Sequence, residues 1–152
     1  MGMDMYTRVQ TLLEDGWHSV DSRDAPLLHR NYSLFALLSG LNRTGKPIKT
    51  ILQYLYGDEA ERDPPVDLTT ETYQDYIVIT KYYTASGDYV MDDEGGLYWY
   101  TLDELLRFNW RQLADETRTW VEEAGIFYSQ LIPWMQKLGS PDKVRLLLGF
   151  SF

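Results

Sequence analysis

The C-terminal segment constrains the fold more than any other part of the sequence. Residues 144–152 alternate so that one face carries only apolar side chains, a pattern of period two that is typical of a β-strand. The residues of that face are Val144, Leu146, Leu148, Phe150 and Phe152. An apolar strand needs hydrogen-bonded neighbours, because an exposed edge of this kind invites aggregation. We therefore predict that this segment lies inside a sheet.

The N-terminal segment is the natural partner for that strand. Met3, Met5 and Val9 alternate with Asp4 and Arg8, which predicts a half-buried strand. Because both termini have strand character, we expect them to meet in one sheet. The pair Asp15-Gly16 then precedes a short strand-like run at 17–20, which predicts a β-hairpin.

Helical spacing of apolar residues marks two segments after the hairpin. The first follows Asn31, a good N-cap residue, and its apolar residues continue to a predicted end between Gly40 and Asn42. The second is predicted to begin at Pro47 and to end at Gly57. Residues 73–84 fit both a strand and a helical face, and we favour helix.

The C-terminal half carries the clearest helix signal. Thr101 and Glu104 have the spacing of a capping box, so a helix is predicted to begin at Thr101 after a short strand at 97–100. Apolar residues then keep helical spacing from Leu113 to Leu138, which predicts one long helix with a kink at Pro133.

These elements predict the fold class. A chain of 152 residues has the length of one domain, so residues 1–152 are predicted to form a single α+β domain. Its small, mainly antiparallel sheet joins the N- and C-terminal strands. Several helices pack against this sheet, including the long helix of the C-terminal half.

Composition excludes several classes of function. The absence of cysteine removes disulfides, thiolate nucleophiles and sulfur-ligated zinc. The N-terminus has no export signal, and no apolar run reaches the length of a membrane span, so we expect a cytoplasmic protein without a membrane partner. The formal net charge of −9 argues against direct binding to nucleic acid.

A basic window interrupts the acidic chain. Residues 25–57 contain no Asp or Glu but include Arg30, Arg43, Lys46 and Lys49. Residues 40–46 match the start of a phosphate-binding P-loop, yet proline follows where Ser or Thr is required, so we do not assign that motif. Donors at Asn42, Arg43 and Lys46 are predicted to hold a phosphate or carboxylate. The alternative is a solvated loop whose cations balance nearby acids.

Aromatic residues add a second element to this prediction. The chain has 12 Tyr and 5 Trp, and such rings suit ligand surfaces because they combine an apolar body with one polar group. The alternative is a tyrosine-rich core with hydrated edges. The predicted ligand-binding residues are Arg30, Tyr32, Asn42, Arg43, Lys46, Trp99 and Tyr100.

Groups suited to catalysis are scarce. Of the two histidines, His18 lies in a predicted strand and His29 is next to Arg30, whose charge disfavours a protonated imidazole. The acidic run at 92–94 lacks the spacing of a calcium loop. We therefore predict no catalytic residue, metal site or cofactor, and we do not expect an enzyme.

Four stretches resemble a family of small phage and prophage proteins of unassigned function. They are MGMDMY at 1–6, RNYSLFALLSGLNR at 30–43, YTLDELL at 100–106 and VRL at 144–146. The family usually has Val-Arg-Asn after the glycine of its helix, where this chain has Leu41-Asn42-Arg43. The resemblance implies a setting in an infected bacterial cell, where small phage proteins often antagonise host defence.

Two hypotheses of function follow. The first is a phage-encoded accessory protein that sequesters a small anionic, nucleotide-like signal without turning it over. The second is an acidic inhibitor that binds a host defence protein, with mimicry of nucleic acid as one mode of binding. Either is compatible with a homo-oligomer.

Overall fold

A computed structural model describes residues 2–21, 23–40, 48–63, 65 and 97–151. The stretch at 73–84 and the acidic run at 92–94 lie outside the described residues, so their predictions are not tested. Among the residues that are described, no helix is both long and apolar enough to cross a membrane.

Four antiparallel strands form the sheet. They are β1 (Asp4–Leu13), β2 (Gly16–Ser19), β3 (Leu97–Thr101) and β4 (Val144–Ser151), in the order β2-β1-β4-β3. The first and last strands pair from Asp4 opposite Ser151 to Thr11 opposite Val144. The prediction that the two termini meet in one sheet is confirmed, as is the α+β class.

The predicted hairpin is formed by β1 and β2. Leu13 lies opposite Gly16, so the turn consists of Glu14 and Asp15. Gly16 has a φ of +120°, a backbone conformation that side chains with a Cβ rarely adopt. The Asp15-Gly16 pair therefore predicts both the turn and the glycine that can adopt its backbone conformation.

The central residues of the first helix, α1 (Tyr32–Ser39), pack into the core. The Asn31 side chain accepts a hydrogen bond from the backbone N–H of Leu34, and Gly40 ends the helix with a φ of +80°. Residues 34–38 are all buried. The ring of Phe35 meets that of Phe150 edge-on at 5.4 Å, which places α1 against β4.

The second helix is shorter than predicted. Helix α2 (Ile51–Tyr56) starts after Thr50, whose hydroxyl accepts from the Gln53 N–H while the Gln53 side chain accepts from the Thr50 N–H. This capping box moves the start beyond the predicted first turn at Pro47, which lies outside the described residues. The predicted end at Gly57 is confirmed.

Helix α3 (Leu102–Arg107) begins where its sequence signal predicts. The Thr101 hydroxyl accepts from the Glu104 N–H at 3.1 Å, and the Glu104 carboxylate accepts from the Thr101 N–H at 2.9 Å. The helix follows β3 without a linker. The capping box therefore holds the sheet edge and the helix start together.

The prediction of one continuous helix between Leu113 and Leu138 is wrong. The structure has α4 (Trp120–Ala124), a π-helical turn (Phe127–Leu131) and α5 (Ile132–Gln136) in its place. A capping box at Thr119 starts α4, and Gly125 ends it with a φ of +56°. Apolar spacing continues across this break because all three segments face the same core.

Pro133 acts differently from the predicted kink. It lies in the first turn of α5, and the wide π turn comes immediately before it. There the N–H of Ile132 donates to the carbonyl of Phe127, one residue further back than in an α-helix. Pro133 has no N–H to donate. The shift of one residue in the backbone hydrogen-bond pattern accommodates it.

The core lies between one face of the sheet and these helices. Alternate side chains of β4 are buried there, from Val144 to Phe150. The other face of β4 is also buried: the Arg145 Nε donates to the Gln10 side chain at 2.8 Å, and its guanidinium lies 4.2 Å from the Trp17 ring centre. Burial on both faces explains why this segment is apolar almost throughout.

We expect Leu148→Ala to lower the free energy of unfolding by about 2–5 kcal/mol, since Leu148 is fully buried in the central strand. The matched control is Leu113→Ala, because 61% of Leu113 is exposed and its loss should cost less than about 0.5 kcal/mol. Urea unfolding followed by circular dichroism measures both. Equal losses would contradict the central position of β4.

Candidate ligand-binding cleft

A cleft of about 660 Å³ opens beside strand β3. It lies between the C-terminal end of α1, the start of α2, the segment 60–63 and the strand itself. The lining residues are 38–40, Ile48, Thr50, Leu52, Gln53, 60–63 and 97–100. Its volume falls in the range of about 300–1,000 Å³ that small-molecule sites occupy.

Trp99 forms one wall of this cleft and is fixed on two sides. Its Nε1 donates to the Asp63 carbonyl at 2.8 Å, and the Arg62 guanidinium lies 4.5 Å from its ring centre. An indole held in this way keeps its orientation before a ligand arrives. The Arg145 guanidinium also lies 5.8 Å from this ring centre, and an indole whose orientation is already fixed costs less entropy when a planar group packs against it.

The Glu104 side chain holds the segment 60–63 in place. Its carboxylate accepts hydrogen bonds from both terminal nitrogens of Arg62, at 2.7 and 2.6 Å, and from the Tyr56 hydroxyl at 2.7 Å. The same carboxylate closes the capping box at Thr101. One buried side chain thus joins α2, α3, β3 and the cleft wall.

The environment of Glu104 favours its charged form. Burial alone raises the pKa of this carboxyl, but the hydrogen bonds from Arg62, Tyr56 and the Thr101 N–H outweigh it and lower the pKa from 4.5 to about 2. Only 4% of its side chain is exposed, against 21% for Arg62. The ion pair is therefore shielded from solvent, and losing either partner leaves a buried charge.

Tyr100 forms the floor of the cleft and connects it to α1. Its hydroxyl donates to the Leu38 carbonyl, and the residue is 1% exposed. Burial raises the pKa of this phenol above its usual range, so it stays a neutral donor. Tyr100 fixes the spacing between strand and helix, and little of its ring reaches a ligand.

The structure brings together only part of the predicted site. Trp99 and Tyr100 line the cleft, whereas Arg30 and Tyr32 lie at the opposite end of α1, about 12 Å away along the helix axis. Arg30 forms an ion pair with Asp4 at 2.6 Å. The Tyr32 hydroxyl accepts from the backbone N–H of Met3 at 3.2 Å, so this residue ties down the N-terminus.

The remaining predicted residues, Asn42, Arg43 and Lys46, lie outside the described residues. Their neighbours in sequence are placed, however: Gly40 and Ile48 both line the cleft. The polypeptide therefore leaves and rejoins the described structure at the edge of the cleft. The prediction that these three residues bind an anion stays a prediction.

The charged groups on the described cleft wall are Glu61, Arg62 and Asp63. Since Arg62 is neutralised by Glu104, the remaining charged groups on the described wall are the Glu61 and Asp63 carboxylates. Lys49, the other described cation of the basic window, pairs with Asp58 at 2.9 Å. This part of the cleft suits a ring that carries N–H donors.

Sequence reasoning missed Arg62 and the wider role of Glu104. The capping box identifies Glu104 as a helix-start residue, which is usually solvent-exposed, and gives no sign of a buried ion pair. The available signal for Arg62 is that it is the single cation in the acidic stretch 58–67. Its partner lies 42 positions away, a separation that local patterns do not reveal.

Comparisons of the chain with protein-family models, with curated proteins and with solved structures give no match. Within the ranges that the structure describes, no group of three or more His, Asp or Glu side chains is placed to hold a metal ion.

We expect Glu104→Gln to lower the free energy of unfolding by about 3 kcal/mol, because it leaves the Arg62 charge buried without its carboxylate. The matched control is Asp103→Asn on the same helix. Asp103 pairs with Arg107 at 2.9 Å in an exposed position, so its loss should cost less than about 1 kcal/mol. Chemical unfolding at pH 7 measures both, and equal effects would contradict the anchoring role.

Stability should also fall in acid through Glu104. Its pKa is lowered on folding, so its contribution is complete above pH 4.5 and is lost as the pH falls toward about 2. The full loss is about 3 kcal/mol for a shift of this size. Unfolding curves at pH 6, 4 and 2.5 for the wild type and Glu104→Gln should converge in acid. Parallel pH profiles would contradict the assignment.

Proposed function

We propose that this chain is a non-enzymatic, phage-encoded accessory protein that sequesters a small nucleotide-like ligand, with the ligand's ring in the cleft beside β3. The observation that carries the proposal is the indole of Trp99, held in place by Arg62 and Asp63 along a cleft of ligand size. Aromatic walls with a few placed polar groups are typical of such sites.

The polar groups of the cleft match a ligand that has two parts, a base and a charged group. Acceptor oxygens at Glu61 and Asp63 suit the exocyclic N–H groups of a base. The charged part of the ligand would then lie toward Gly40 and Ile48, between which the sequence has Arg43 and Lys46. We predict that a phosphate at that end of the ligand is bound by Arg43 and Lys46, which completes the nucleotide-like ligand.

Binding without turnover is favoured by the chemistry of the described wall. Its ionisable side chains are Glu61, Arg62, Asp63 and tyrosines, and Arg62 is already committed to Glu104. His18 lies in the hairpin, where it contacts Asp15 at 2.7 Å. No described lining residue forms a nucleophile–base pair of the kind that hydrolysis requires.

A thermal-shift screen tests the proposal, using cyclic dinucleotides, cyclic oligonucleotides and ADP-ribose derivatives. A ligand at one hundred times its Kd should stabilise the chain by about 2.7 kcal/mol. We expect Trp99→Leu to weaken binding by about 1–3 kcal/mol through loss of stacking. Trp134→Leu is the matched control, since Trp134 is half-buried and does not line the cleft.

The absence of a shift with every nucleotide would overturn the proposal. The acidic-inhibitor hypothesis would then be tested by a pull-down from host lysate at increasing salt. A single partner released by salt would support it, because the net charge of −9 acts through screened electrostatics.

The basic residues of the window give a separate prediction. Replacing Arg43 and Lys46 together by Ala should weaken a phosphorylated ligand at least about tenfold, by removing charge-assisted hydrogen bonds, and leave its nucleoside nearly unaffected. Lys137 and Lys143, both exposed and remote from the cleft in sequence, provide the matched double-alanine control. Calorimetric titration of each variant measures this. An unchanged affinity would exclude these cations from the site.

A further inference from the structure

Several polar side chains of the described cleft wall are already bonded within the protein. Both terminal nitrogens of Arg62 donate to Glu104. The Gln53 side chain accepts from the Thr50 N–H and donates to the Asp58 carbonyl, and the Thr50 hydroxyl accepts from the Gln53 N–H. A ligand in the cleft must therefore be recognised by other groups.

Two carboxylates of the wall are available to a ligand. Glu61 and Asp63 are exposed and line the cleft, on either side of the half-buried Arg62. Of the residues that the structure describes, none forms an ion pair or hydrogen bond with either carboxylate. The bond that Asp63 makes to the indole of Trp99 uses its backbone carbonyl and leaves its side chain unengaged.

Strand β3 adds a backbone donor on the same side. The Thr101 N–H donates to Glu104, and the Trp99 carbonyl accepts from Arg62 at 3.4 Å, so both residues direct their backbone groups away from β4. Because the N–H and C=O of one strand residue point to the same side, the Trp99 N–H is also directed toward Arg62 and the cleft. No described group accepts from this N–H.

The common bases differ in how well they match such a wall. Guanine presents one acceptor, O6, followed by two adjacent donors, N1–H and the N2 amine. Adenine and cytosine each place an acceptor nitrogen beside their amine, and uracil has a single N–H between two carbonyls. A carboxylate accepts two parallel hydrogen bonds from adjacent donors, as it does from arginine. Against the other bases, one of its oxygens would face a lone pair.

We infer that the ring held in the cleft is guanine, an inference that rests on the proposed function. The carboxylates of Glu61 and Asp63 accept from N1–H and from the N2 amine, and the Trp99 N–H donates to O6. The ligand class is therefore guanine nucleotides, either free or as part of a larger signal. Discrimination comes from the carboxylates, because they favour a base edge that is rich in donors.

Calorimetric titration with GMP, IMP and AMP tests this inference. IMP differs from GMP only in lacking the N2 amine. We expect GMP to bind at least about tenfold more tightly than IMP, because IMP loses a hydrogen bond to a charged group, and more tightly than AMP. GMP that binds no more tightly than IMP or AMP would overturn the guanine inference and leave the nucleotide proposal standing. Binding of none of the three at millimolar concentration would overturn both.

A double variant connects the preference to the carboxylates. Glu61→Gln combined with Asp63→Asn places an amide N–H₂ against the second guanine donor, so the ratio of GMP to IMP affinity should fall to about twofold or less. Glu59→Gln is the matched control, since Glu59 is exposed on the same segment and does not line the cleft. Circular dichroism checks the fold, which exposed substitutions leave intact. An unchanged ratio in the double variant would overturn the inference.

The O6 contact has a readout that needs no variant. In a ¹⁵N-labelled sample saturated with GMP, the backbone amide proton of Trp99 should move downfield as it donates to O6. The indole N–H of the same residue is the internal reference, because it is already bonded to the Asp63 carbonyl. A Trp99 amide that moves no more than the indole N–H in the GMP complex would contradict this contact.

Discussion

The antiparallel pairing of β1 with β4 is the interaction on which the rest of the structure depends. Strand β4 joins the N-terminal hairpin to β3, and no other described strand contacts both. Its apolar face receives α1 through Phe35 and Phe150. Its opposite face buries Arg145 against Gln10 and the Trp17 ring. Removing this strand would leave a hairpin and a single strand with no sheet between them.

The sequence predicts most of this architecture because its signals are local. The terminal strands, the hairpin at Gly16, the helix after Asn31 and the start of α3 at Thr101 each follow from spacing or capping within a few residues. Helix continuity between Leu113 and Leu138 was not predictable in this way. Apolar spacing reports a shared buried face, which three short segments provide as well as one long helix does.

The candidate site was predictable only in part for a related reason. Trp99 is predicted as a binding residue because it is an aromatic residue next to a helix start, and it does line the cleft. Arg30 and Tyr32 belong to the same basic, aromatic window in sequence, but α1 carries them to its far end. The ion pair of Arg62 with Glu104 forms only when segments distant in sequence meet, so no periodic pattern in the sequence indicates it.

The central position of β4 sets an order for folding during synthesis. The bond between Gln10 and Arg145 spans 135 positions, so the first strand is made long before its main partner. Until β4 leaves the ribosome, β1 has only the short β2 beside it, and the core face has no central strand to pack on. Contacts of such long range close slowly. The nascent chain must therefore keep an unfinished sheet edge exposed for most of its translation, and an unpaired edge of this kind makes a folding chain prone to aggregate.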